Sequence, residues 1–94
     1  MPVGMLTLEL HLPGCSSLKE KRRRLKPLLQ RLHKEFNIAA AEIEALDAWQ
    51  KAVIGCVTIS NESAHAQRSL QRVLQWLETH WHDGWVVQHR IEIC

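Results

Sequence analysis

A chain of 94 residues that is 46% apolar and 23% charged fits one domain, residues 1–94, with a single modest core, and is neither disordered nor collagen-like in composition. Its apolar runs are too short to span a bilayer, and a net charge of +2 is too small for nucleic-acid binding over the whole surface. The charge is unevenly placed. Residues 17–36 (SLKEKRRRLKPLLQRLHKEF) carry eight Lys/Arg against two Glu, whereas the other 74 residues carry four Lys/Arg against eight Asp/Glu. Such a segment is either a solvated helix face or the local footprint of a surface that meets a polyanion.

The opening MPVGMLTLELHL alternates apolar and polar residues and has no basic n-region followed by an apolar h-region, so it reads as a strand and not as an export signal. Over Val3–Leu12, residues Leu6, Leu8, Leu10 and Leu12 share one face, and Met5, Thr7, Glu9 and His11 the other. Pro13-Gly14 punctuates the chain. Ser17-Leu-Lys-Glu20 matches a capping box, with the serine hydroxyl covering a free amide and Glu20 reaching back. The helix that follows places Leu18, Leu25, Leu29, Leu32 and Phe36 on one stripe, with Arg22 falling on that stripe. Pro27 predicts a kink or break near Arg23–Lys26, because it has no N–H and crowds the preceding turn.

After Asn37, the Ala-rich Ile38–Leu46 reads as a weak strand. Asp47–Lys51 forms a hairpin into Ala52–Ser60, whose nearly continuous apolar run suits a central strand. Ser60 or Asn61 caps a second helix with Ala66, Leu70, Val73, Leu74, Leu77 and Trp81 inward. Asp83-Gly84 turns into a final strand, Trp85–Ile93, with Trp85, Val87, Ile91 and Ile93 on its inner face. The order βαββαβ predicts an α+β, ferredoxin-like sandwich: a four-stranded antiparallel sheet with both helices on one face.

SLKEKRR followed by FNIAAAEIEALDAWQKAVIGCVTISN resembles the small bacterial YlxP-like family of unknown function, and the match in order and spacing runs through nearly the whole chain. The resemblance implies the same fold. Through the translation-initiation and ribosome-maturation genes among which such proteins are encoded, it also implies a role near RNA or the ribosome. It brings no catalytic residues. The proline within the first helix departs from the family pattern.

In this topology the β1–α1 loop, the β2–β3 hairpin and the α2–β4 loop emerge at one end, gathering Trp49, Trp81, Trp85, His80 and His82 beside a helix N-terminus. Free amides there suit a phosphate, with Ser17, Lys19, Lys21 and Arg22 near by, and Trp49 could stack a base. Trp81 and Trp85 read more simply as caps on the core. Arg23, Arg31 and Lys34 point away from the leucine stripe and Arg24 flanks it, so these supply diffuse attraction, with Lys21 and Arg22 as the specific contacts. The sheet's other face is expected to show Met5, Thr7, Glu9, His11, Ile54, Cys56, Thr58, Val86, Gln88, Arg90 and Glu92. Without aromatics it does not suit base stacking of the RRM kind, and it fits a homodimer or a solvated face.

Catalysis has little to stand on. Three cysteines, none in a CxxC, read as reduced thiols of a cytoplasmic protein. His80-x-His82 with Cys15 lacks a further metal ligand at a motif spacing, and no base is legible beside Cys15. The loop PGCSS lacks the glycine-and-arginine cradle of acylphosphatases. The expectation is a non-enzymatic accessory protein without cofactor or metal, binding RNA or a ribosomal particle through its basic first helix. The alternative is a dimeric regulatory module that binds an acidic protein or small anion.

Overall fold

The computed structural model describes residues 2–94. Its elements run β1 (Val3–His11), α1 (Leu18–Glu35), β2 (Ala39–Glu44), β3 (Lys51–Ile59), α2 (Ser63–His80) and β4 (Trp85–Ile93). The strands form one antiparallel sheet in the order β2-β3-β1-β4, which is the ferredoxin-like arrangement predicted from the element order. Strict alternation in β1 sends Leu6, Leu8 and Leu10 into the helices, where all three are fully buried. They meet Leu25, Leu28 and Leu32 of α1 and Leu70, Val73 and Leu77 of α2 in one core cluster. Each such leucine contributes about 1.5–3 kcal/mol by leaving water. Helix α2 comes so close to β1 that a Cβ at Gly4 would lie 2.9 Å from Leu70 Cδ1.

Strand β3 and the first residues of β4 present different faces from those expected, while Ile91 and Ile93 turn inward and Gln88, Arg90 and Glu92 outward as expected. In β3, Ile54, Cys56 and Thr58 pair with Leu8, Leu6 and Gly4, so all three turn toward the helices. The open face takes Lys51, Val53, Gly55, Val57 and Ile59 instead. A continuously apolar run carries no parity of its own; the partner strand's register sets it. In β4 a bulge between the partners of Glu9 and Leu10 leaves Val87 as an extra residue. That bulge reverses the parity of the strand's first two residues. Val86 therefore points inward, while Trp85 and Val87 are exposed. Trp85 lies opposite His11 with ring centroids 4.7 Å apart, so the open face does carry an aromatic residue.

Helix α1 runs unbroken through Pro27, contrary to a break near Arg23–Lys26. Proline leaves the Arg23 carbonyl without its helical donor, and at an exposed position that loss is met by solvent. The buried stripe is Lys21, Leu25, Leu28 and Leu32; Lys21 occupies the place expected for Arg22, and Leu28 is more deeply buried than Leu29. Ser17 is the N-cap and accepts the Glu20 N–H at 3.0 Å. Glu20 takes the Ser16 hydroxyl at 3.3 Å, completing the cap through a neighbouring side chain. At the start of α2, Glu62 is the N-cap, and the Ser60 hydroxyl accepts its N–H at 3.2 Å.

Candidate nucleic-acid interface

The three loops do converge at one end, and two cations of α1 fasten them. Lys21 is 1% exposed. Its ammonium donates to the carbonyls of Ala45 (2.9 Å) and Lys51 (3.2 Å) and lies 2.6 Å from Glu42 Oε2. Three acceptors thus surround a group with three donors. Glu42 Oε2 takes no other hydrogen bond, so the ammonium's charge is what compensates its burial. Ala45 adopts φ +57, a left-handed conformation costly for alanine, and its carbonyl is one of the two that Lys21 holds. The hairpin is further tied to the β1–α1 loop by Leu12 N–H to Gln50 O (2.9 Å) and by Gln50 Nε2 to Cys15 O (3.4 Å).

Arg24 fastens the third loop. Its guanidinium donates to Asp83 Oδ2 (2.8 Å), Asp83 O (2.6 Å) and Pro13 O (2.9 Å). The Asp83 hydrogen bond raises its pKa further. Gly84 follows because nothing larger fits: a Cβ there would lie 2.1 Å from His11 O.

These contacts redraw the predicted binding set. Lys21 is not at the surface and has no free donor for a ligand. Three of the five N–H donors of Arg24 are committed to the protein, and the Ser17 hydroxyl is committed to the helix cap. Lys19, Arg22, Arg23, Arg31 and Lys34 are exposed, as is Lys26. Arg31 lies 3.5 Å from Glu35 across one helical turn, a pair of little energetic weight at the surface. Trp49 is 54% exposed on the hairpin, whereas Trp81 packs against the core as a cap.

The exposed cations belong to a larger pattern. The two helices together hold ten Lys/Arg and three Asp/Glu, a net +7; the strands and loops hold two and seven, a net −5. The sandwich therefore has a positive helical layer and a negative sheet layer, with Arg68 and Arg72 of α2 extending the basic surface of α1. Between the helices runs a groove of about 390 Å³ bordered by Arg23, Pro27, Arg31, Trp76, His80 and Trp81. Trp76 sits at its centre: Arg31 lies 5.4 Å from the ring centroid, His80 stacks on it at 5.7 Å and 12°, and Phe36 meets it edge-on at 6.1 Å. Sequence reasoning did not single out Trp76, Arg68 or Arg72. The signal for Trp76 is its four-residue spacing from His80, which puts two flat rings side by side on one helix.

Nucleophilic and metal chemistry find few residues here. Cys15 and Cys56 are buried, and Cys94 is exposed. Burial pushes the Cys56 thiol up to about 12. The Cys15 Sγ is turned to Ser17 O, away from His80, which is occupied with Trp76 and Thr79. Among the described residues no three His, Cys, Asp or Glu side chains gather as metal ligands do, and no helix is long and apolar enough to cross a membrane.

An α+β sandwich with its loop end fastened by two helix cations is the class of protein seen here; residues 3–90 match the family described as "Protein of unknown function (DUF503)", and the chain belongs to it. Among curated proteins it is 34% identical over 77 residues to "Uncharacterized protein YlxP" of Bacillus subtilis (strain 168), covering 82% of this chain and 84% of that one. The family likeness expected from the sequence thus holds.

Proposed function

We propose that this chain is a non-enzymatic accessory protein that binds RNA or a ribosomal particle through its helical layer, in the cytoplasm. The observation that carries this reading is the separation of charge between the two layers, +7 on the helices and −5 elsewhere. A phosphate backbone is attracted to the first layer and repelled by the second, so the charge orients as well as attracts. Lys19, Arg22, Arg23, Lys26, Arg31 and Lys34 supply the phosphate contacts, and Lys21 and Arg24 hold the helix in place. Trp49 stands at the loop end as a stacking side chain next to that surface.

The test is binding to structured RNA and to ribosomal subunits across a salt series. The logarithm of the binding constant is expected to fall linearly with log salt, and charge reversal at Arg22 and Arg23 to weaken binding and flatten the slope by about 0.7–0.9 per lost contact. Binding indifferent to both salt and these reversals sinks the reading.

A second reading, a homodimer through the open sheet face, has its own support. Val57, Ile59 and Ile43 are between 38% and 61% exposed on that face, with Trp85 exposed at its opposite end. Sedimentation of the wild type against Ile59→Lys decides it: a monomer at every concentration excludes the dimer.

A further inference from the structure

The interhelical groove has features that general phosphate attraction does not require. Trp76 is half-buried and held by Phe36, so it is a fixed ring, and the two side chains lying against it, Arg31 and His80, are both exposed. Flat guanidinium and imidazole planes on such a support are the side chains on which unpaired bases stack. The His80 ring is also oriented. Thr79 Oγ1 lies within hydrogen-bond distance of Gln75 O (2.8 Å), Trp76 O (3.3 Å) and His80 Nδ1 (2.8 Å), so the ring is held from its Nδ1 side and its Nε2 is the nitrogen left for a ligand. Pro27 borders the same groove as Arg23, and the one carboxylate in its lining, Asp83, is paired with Arg24. Arg23 adds a positive charge there.

We infer that this groove is a subsite for one unpaired nucleotide of an RNA chain, the base stacking on Arg31 or His80 over Trp76, its edge hydrogen-bonding to His80 Nε2, and its phosphate meeting Arg23. The volume of about 390 Å³ lies within the usual range of small-ligand sites. The occupant is RNA and not an acidic protein because the groove pairs cations with stacking planes. This inference rests on the proposed RNA-binding function and narrows it from charge to base contact.

The experiment compares two RNAs of equal length, a stem with an open loop and a continuous duplex, against the full chain at fixed salt. The loop RNA is expected to bind more tightly. His80→Ala is expected to lower loop affinity by about fivefold or more and leave duplex affinity unchanged; Arg31→Lys, which keeps the charge and loses the plane, is expected to lower loop affinity by a larger factor than duplex affinity. Lys26→Glu, outside the groove, is expected to weaken both RNAs alike. Both groove side chains are exposed, and an unchanged thermal midpoint verifies the fold of each variant. Equal affinity of the wild type for the two RNAs, or equal loss on both in His80→Ala and Arg31→Lys, overturns the subsite while leaving salt-dependent RNA binding standing. Absence of binding to either RNA overturns the subsite, and absence of binding to ribosomal subunits as well overturns the parent reading.

Discussion

Lys21 Nζ lies 2.6 Å from Glu42 Oε2, with the lysine side chain 1% exposed and the glutamate 16%. The pair joins the second turn of α1 to β2, and the same ammonium holds two carbonyls of the hairpin that follows. A lysine in the middle of a basic run is thus the most deeply buried charged side chain among the described residues, and its work is structural.

Removing one partner strands the other in a low-dielectric site. Lys21→Met is expected to cost about 3–5 kcal/mol, and at about 4–8 °C per kcal/mol for a chain this small to lower Tm by more than about 10 °C. The double variant Lys21→Met/Glu42→Leu is expected to recover most of that loss, because neither charge is then left alone. Urea unfolding of the single and double variants measures the coupling. Equal stability of Lys21→Met and wild type would refute the assignment.

Arg24 is expected to resist conservative replacement. A lysine cannot reach Asp83 Oδ2, Asp83 O and Pro13 O together, because its donors radiate from one atom instead of lying along a planar fork. Arg24→Lys should therefore lose about 1–2 kcal/mol, close to the loss in Arg24→Ala. Its pKa is raised by Asp83, so this contribution is fully present at any pH below the ordinary guanidinium value. A thermal melt of the two variants side by side reads the difference, and wild-type stability in Arg24→Lys contradicts the fork geometry.

Cysteine chemistry separates by burial. In the native protein an alkylating reagent near neutral pH is expected to modify Cys94 alone, and Cys15 and Cys56 only after unfolding. The folded Cys56 thiol stands at about 12 against an ordinary 9.0. Its neutral form therefore contributes fully below 9.0, and that contribution is lost as pH climbs toward about 12. Cys56→Ala should show a shallower alkaline decline, followed by circular dichroism over that window.

Two glycines should differ sharply on replacement by alanine. At Gly84 the added Cβ meets the His11 carbonyl at 2.1 Å, a backbone clash that forces the α2–β4 loop away from β1 and releases Arg24's partner. At Gly14 the space is open but φ is +71, so Gly14→Ala should cost only about 1–2 kcal/mol. Comparable Tm values for the two variants would contradict the packing at Gly84.

Much of the fold is legible because its signals are local. The leucines of β1 alternate, Ser17 and Glu20 mark a helix start, and Asp83-Gly84 marks a turn; each depends on neighbours a few residues away. The parity of β3 and of the first residues of β4 was not legible. Ile54 and Cys56 stand in an unbroken apolar run, and the orientation of Trp85 depends on a bulge defined only against Glu9 and Leu10 of another strand. The candidate surface divides in the same way. Arg22, Arg23, Arg31 and Lys34 are exposed, as helical angles require, while Lys21 and Arg24 are withdrawn by partners 21 and 59 residues distant.

By itself, then, the amino-acid sequence determined the order of elements, the antiparallel sandwich, and the accumulation of positive charge on one helix, since periodicity and composition act at short range. Tertiary structure decided which of those charges face water. Lys21 and Arg22 are chemically similar neighbours, but about 100° of helix rotation sends one toward Glu42 and the hairpin carbonyls and the other into solvent. It also brought Arg31 to Trp76 from a second helix, making a groove out of residues that no local pattern connects.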